Sequence, residues 1–110
     1  MPETLASYRG ESLVAERRYA LRGEIDLACA PELESKLLVL VHVTDDDLIL
    51  DCADLEFIDL PGIHVLVEIQ RLLAIYGRSL RMVNLSYEPR LLIEVLGLVD
   101  LLPDDRESIV

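Results

Sequence analysis

The apolar positions of the chain change period several times, and each change marks an element. Leu13–Ile25 (LVAERRYALRGEI) carries strand formers in imperfect alternation, with Gly23 suited to its end. A short strand near Leu5–Arg9 is expected to pair with it as a hairpin, with Gly10-Glu11 at the turn. Asp26 can accept backbone N–H groups where the chain turns, and Pro31 fits the first turn of a helix. Leu33, Leu37, Leu40 and Val41 then recur at helical spacing, which predicts a first helix over residues 30–43. After the polar Asp45-Asp46-Asp47, the apolar run Leu48-Ile49-Leu50 reads as a strand buried on both faces of a parallel sheet.

Leu55, Phe57 and Ile58 carry the apolar pattern into a loop, where Asp59 is a helix N-cap and Pro61 an early helical residue. The second helix spans Ile63–Tyr76, with Leu66, Ile69, Leu73 and Tyr76 on its core stripe. His64, Glu68 and Arg71 form its polar stripe, and Gly77 is its C-terminal stop. Ser79–Leu85 reads as a further core strand. Ser86 caps a last helix over Glu88–Leu96, whose predicted core face is Leu92, Val95 and Leu96. Gly97 ends it, Leu98–Leu102 is expected to be a final short strand, and an acidic tail occupies residues 103–110. The alternation predicts an α/β layered domain: a mostly parallel sheet of four to five strands, helices packed on it, right-handed crossovers and a core over about 12–102. The 110 residues are expected to form one domain, with no repeat or linker.

Composition narrows the function classes. The chain is 52% apolar and 28% charged, which fits a packed core built from Leu, Val and Ile. Apolar runs such as Leu37–Val41 fall far short of the ~20 residues of a membrane span. The start MPETLASYRGES lacks the layout of a signal peptide, so a cytoplasmic location without membrane contact is expected. A net charge of −11 opposes nucleic-acid binding, which depends on Lys and Arg against phosphates. It favours a solvated acidic surface or, more sharply, a basic protein partner.

Chemistry-bearing motifs are few. Neither G-x-G-x-x-G nor a P-loop occurs, and no Ser-His-Asp or Cys-His set stands at strand ends. An enzyme is not expected, nor is a cofactor. Asp51, Asp54 and Asp59, with Glu56 between, do not have the spacing of a Ca²⁺ loop and read as capping acids. No metal site is expected. His42 and His64 have no nucleophile arranged beside them. Cys29 and Cys52 fall at the ends of two strands that could run side by side. They are either a redox pair or two small buried hydrophobes. Leu38 and Val39 lie outside the strict core stripe of the first helix, which leaves a homodimer face or a wide packed stripe as alternatives.

Four blocks resemble the STAS domain of bacterial anti-sigma factor antagonists. Gly23-Glu24-Ile25-Asp26 is similar to that family's Gly-Glu-Leu-Asp, and Ala30-Pro31-Glu32-Leu33 to its helix start. Leu50-Asp51 through Phe57-Ile58-Asp59 resembles its strand-and-loop pattern LDLSGVxFIDSSG. Leu80–Asn84 and Leu92–Leu102 resemble its later strand and its ending. The resemblance implies a regulator of transcription that acts by stoichiometric binding. Its partner would be an anti-sigma factor, often a serine kinase with a GHKL-type ATPase fold, and binding would release a sigma factor. In the family the Ser after the motif Asp is phosphorylated, which breaks the complex.

Here FIDLPGI places Leu60 and Pro61 at the two hydroxyl positions, and neither can accept phosphate. The resemblance therefore implies a non-phosphorylatable variant, constitutive or controlled otherwise, for example by redox. Its contact surface would comprise Asp26, Asp59, Leu60, Pro61, Gly62, Ile63 and His64. A ligand sensor or a scaffold subunit of a larger regulatory assembly is the alternative on the same fold.

Overall fold

The computed structural model describes residues 17–102. Its elements are strand β1 (Arg17–Ala20), strand β2 (Gly23–Ile25), helix α1 (Ala30–Val43), strand β3 (Leu48–Asp51), strand β4 (Leu55–Ile58), helix α2 (Leu60–Ile75), strand β5 (Leu80–Val83) and helix α3 (Tyr87–Val95). A 3-10 turn follows at Val99–Leu101. The expected strand over Leu5–Arg9 and the tail 103–110 lie outside the described residues.

Among the described residues the strand pairs are all parallel, in the orders β1-β3-β5 and β2-β4. The central strand is β3. Leu48, Ile49 and Leu50 are all buried, as an apolar run between two neighbours requires. Parallel neighbours need crossovers, which α1 supplies between β1 and β3, and α2 between β3 and β5. The two helices pack on each other, and Leu33, Leu37 and Val41 join Leu66, Ile69 and Leu73 in one core.

The expected single strand over Leu13–Ile25 is two strands with different partners, a correction with a local cause. The Leu21 N–H still reaches Asp51 O at 3.0 Å, continuing the ladder of β1 with β3. Gly23, at φ +73°, then swings the chain so that its own N–H meets Asp54 O at 2.9 Å, which opens the pairing of β2 with β4. Strand β4 was expected only as apolar pattern running into a loop. Its central residues Glu56 and Phe57 are both exposed, so it shows no clean alternation.

The last third needs two more corrections. Leu98–Leu102 does not form a strand, because the Leu98 and Leu101 N–H groups turn back to Ile93 O and Leu98 O, each at 3.0 Å. On α3 the buried residues are Pro89 and Ile93, while Val95 is 72% exposed and Leu96 41%. Likewise Tyr76, expected on the core stripe of α2, is exposed beyond the helix end.

Arg78 locks the end of the sheet opposite the β2 and β4 termini. Its Nη1 donates to Val41 O at 2.9 Å, Nη2 to Thr44 Oγ1 at 2.9 Å and Nε to Asp46 O at 3.0 Å. The Thr44 hydroxyl in turn donates to Leu40 O at 2.8 Å. A cation thus satisfies carbonyls that the C-terminus of α1 would otherwise leave open.

Candidate functional site

Strands β2 and β4 end in register, with Ile25 opposite Ile58 and the Asp59 N–H donating to Ile25 O at 3.1 Å. The two loops that follow therefore leave the sheet side by side. In the first, Asp26 Oδ1 accepts the N–H of Ala28 at 3.1 Å and of Cys29 at 3.2 Å, building the turn into α1. In the second, Asp59 caps α2 as expected: its Oδ1 accepts the Gly62 N–H at 3.3 Å and its carbonyl accepts the Ile63 N–H at 3.0 Å. Each acid spends its Oδ1 on backbone of its own loop, and the Asp59 N–H to Ile25 O bond joins the two loops.

The seven residues expected at a contact surface fall into three groups. Leu60 is 59% exposed on the first turn of α2, and His64 is exposed one turn further, 3.8 Å from Glu68. Asp26, Asp59 and Pro61 are half-buried. Gly62 and Ile63 lie beneath the surface, Ile63 with 3% exposure, so they support the site from inside. A Cβ on Gly62 would stand 2.8 Å from Ile58 Cγ1 and 2.9 Å from Ile25 Cγ2. Glycine is therefore what lets α2 start directly against the ends of β2 and β4.

Leu27, in the loop of Asp26, is 70% exposed and was not foreseen as part of the site. Its signal in the sequence was an isolated leucine between a turn acid and a helix start, outside any periodic stripe. Together Leu27 and Leu60 give this edge two exposed leucines over two structural carboxylates. From Leu60 a shallow groove of about 320 Å³ runs along α2 past His64 and Val67 to Arg71 and Leu98. Its charged wall is internally paired, with Arg71 Nη1 3.4 Å from Glu68 Oε2.

Both cysteines are free thiols. Cys52 is fully buried and its Sγ donates to Leu50 O at 3.5 Å. Burial, aided by the adjacent Asp51 charge, pushes its pKa up to about 12, so the thiolate that redox exchange requires is scarce at neutral pH. Cys29 is half-buried, with its Sγ 3.7 Å from Glu24 O. Asp51 and Asp54 have structural tasks. Asp51 Oδ1 accepts from Ala53 N at 3.1 Å and Asn84 Nδ2 at 3.0 Å, and Asp54 lies 3.6 Å from Arg22. Among the described residues no three His, Cys, Asp or Glu side chains gather as a metal site, and no helix is long and apolar enough to cross a membrane.

Parallel strands joined by crossover helices, with two exposed leucines on capped loops at one sheet edge, define an α/β layered domain. The chain belongs to the STAS domain family, whose profile matches residues 15–107. Among solved structures it is similar to the Bacillus cell fate determinant SpoIIAA in its phosphorylated form, with a TM-score of 0.62 at 21% identity, covering 93% of this chain and 96% of that one. It is also similar to the murine solute carrier 26 family member A9 anion transporter in the inward-facing state, with a TM-score of 0.72 at 17% identity. That likeness covers 92% of this chain but only 18% of the transporter chain. No curated protein sequence matches the chain.

Proposed function

We propose that this chain is an anti-sigma factor antagonist whose contact surface cannot be switched by phosphate. It would bind an anti-sigma factor with a GHKL-type ATPase domain and so free a sigma factor. The observation that carries this reading is Leu60, 59% exposed on the first turn of α2, where the family resemblance puts the phosphoacceptor. A phosphoserine would bring about −1.5 to −2 charges to that point, next to Asp59, whereas leucine offers a neutral apolar contact. Leu27 is exposed on the neighbouring loop at the same sheet edge and adds apolar surface there. Control would then rest on the amounts of the partners rather than on a kinase. The buried Cys52 thiol argues against control by a disulfide.

The test is calorimetric titration of purified GHKL-type anti-sigma factors with the wild type and with Leu60→Glu and Leu60→Ser, alongside radiolabelled ATP. The wild type is expected to bind one of them and to take up no phosphate. Leu60→Glu should weaken binding by about a hundredfold, close to 2.7 kcal/mol, as for a central contact residue. Leu60→Ser should bind and become a phosphate acceptor. Equal affinities of wild type and Leu60→Glu would refute the assignment of this edge as the contact.

A second reading, a subunit within a larger regulatory assembly, draws on the transporter likeness, in which this fold is a minor part of a longer chain. Native mass spectrometry separates the two, since the antagonist is expected to form a small discrete complex and the subunit a large multicomponent one.

A further inference from the structure

Strand β4 and helix α3 face each other across a groove of about 130 Å³ that the core does not fill. Ile58, Pro89 and Leu92 form its floor, and Phe57 forms one wall. Phe57, the only phenylalanine of the chain, is 48% exposed here, although an aromatic ring gains most from burial. Glu56 on β4 and Glu88 on α3 stand at opposite rims, both exposed. Among the described residues neither carboxylate has an ion-pair or hydrogen-bond partner. Exposed acids such as Glu34 and Asp100 stand on open surface, whereas Glu56 and Glu88 both line one apolar groove.

The charges decide what fits. A second copy of this chain, at −11, would bring like-charged rims together, and a nucleic acid would add phosphates to them. A basic segment neutralises both rims at once. The groove volume accepts one large apolar side chain, and the neighbouring stripe Tyr87, Leu91 and Val95 of α3, exposed by 74%, 41% and 72%, extends the apolar surface beside it. We propose that the β4–α3 groove docks a basic amphipathic peptide segment of a partner protein. One leucine- or phenylalanine-sized side chain would rest on Phe57 and Leu92, with flanking lysines or arginines paired to Glu56 and Glu88. The groove lining includes neither Leu60 nor His64, so failure of docking there would leave the antagonist reading intact.

The test is titration of the ¹⁵N-labelled full chain with the synthetic peptide Lys-Lys-Leu-Phe-Lys-Lys, followed by amide chemical shifts. The expected result is a set of shifts confined to residues 56–58, 88 and 90–92. Peptides with alanines for the central pair, or glutamates for the lysines, should produce none. The double variant Glu56→Gln, Glu88→Gln should weaken the binding about fivefold or more and flatten its salt dependence. Phe57→Ala should abolish it. Shifts spread along Asp45–Asp47 and the other acids, or equal binding of the alanine peptide, would reduce the effect to general charge attraction and overturn the proposal. Concentration-dependent shifts at the same amides without peptide would assign the groove to a second copy and overturn it too.

Discussion

Gly62→Ala sets two known effects against each other, and the structure decides which prevails. Within a helix, alanine is favoured over glycine by about 1 kcal/mol. The added Cβ, however, would meet Ile58 Cγ1 at 2.8 Å, Ile25 Cγ2 at 2.9 Å and Ile58 Cδ1 at 3.2 Å. The two closest atoms sit on the stiff χ1 bonds of β-branched residues in paired strands, so neither can swing aside freely. Relief must come from moving the start of α2 off the sheet, and overpacking of this kind costs about 1–3 kcal/mol. The net expectation is a loss of about 1 kcal/mol, which lowers the Tm by roughly 4–8 °C for a domain of this size. Thermal and urea unfolding measure it. In a double-mutant cycle, Ile58→Ala should cost less in the Gly62→Ala background than in the wild type, because it removes the atoms that clash. A Tm that rises with Gly62→Ala would show that α2 can shift at no cost, and the argument for a close helix start would fail.

Other consequences can be checked in the same assays. Arg78→Ala should cost about 2–3 kcal/mol, since three donors to Val41 O, Thr44 Oγ1 and Asp46 O vanish together, and Arg78→Lys should recover under half of it because an ammonium lacks the fork geometry. Full stability on urea unfolding of Arg78→Ala would sink this account. At neutral pH a disulfide reagent should label Cys29 readily and Cys52 only at the rate of unfolding. The folded state holds the Cys52 thiol neutral, so its contribution is intact below the unfolded pKa near 9 and is lost as pH rises towards about 12. Cys52→Ala should lose that alkaline slope, worth up to about 1.4 kcal/mol per pH unit, and an identical slope in both proteins would refute the cause given. Leu60→Glu should unfold within about 0.5 kcal/mol of the wild type, because its side chain is exposed and a first-turn carboxylate suits the helix N-terminus.

Where one physical effect dominated, the sequence was enough. Leu48-Ile49-Leu50 is apolar on both faces, and it is the buried central strand. Pro31 and Asp59 each suit one position at a helix start, and they mark the starts of α1 and α2. Where two patterns compete, tertiary contacts decide, and these are not local. Helix α3 carries one stripe through Pro89 and Ile93 and another through Leu91 and Val95, and its packing on β4 and on the 3-10 turn selects the first. Leu98–Leu102 is apolar enough for a strand, but the local bonds to Ile93 O and Leu98 O form instead. The loop acids of the site were legible as caps. Leu27 was not, because its place at the same sheet edge as Leu60 comes from the pairing of β2 with β4 across more than thirty intervening residues.

Position 60 separates fold from recognition, and that separation is what makes the antagonist reading open to a clean test. The start of α2 is fixed by its neighbours: Asp59 supplies the cap, Pro61 the pre-set φ, and Gly62 the close seat against Ile25 and Ile58. None of these uses the side chain of residue 60, which projects into solvent with 59% of its surface exposed. Serine, glutamate or leucine can therefore stand there on the same backbone, and the choice changes only what a partner meets. A binding loss in Leu60→Glu without a loss of stability would then report on the contact itself. A Leu60→Glu protein that unfolds early would show instead that this residue serves the fold, and its exposure would lose its meaning as a sign of a partner.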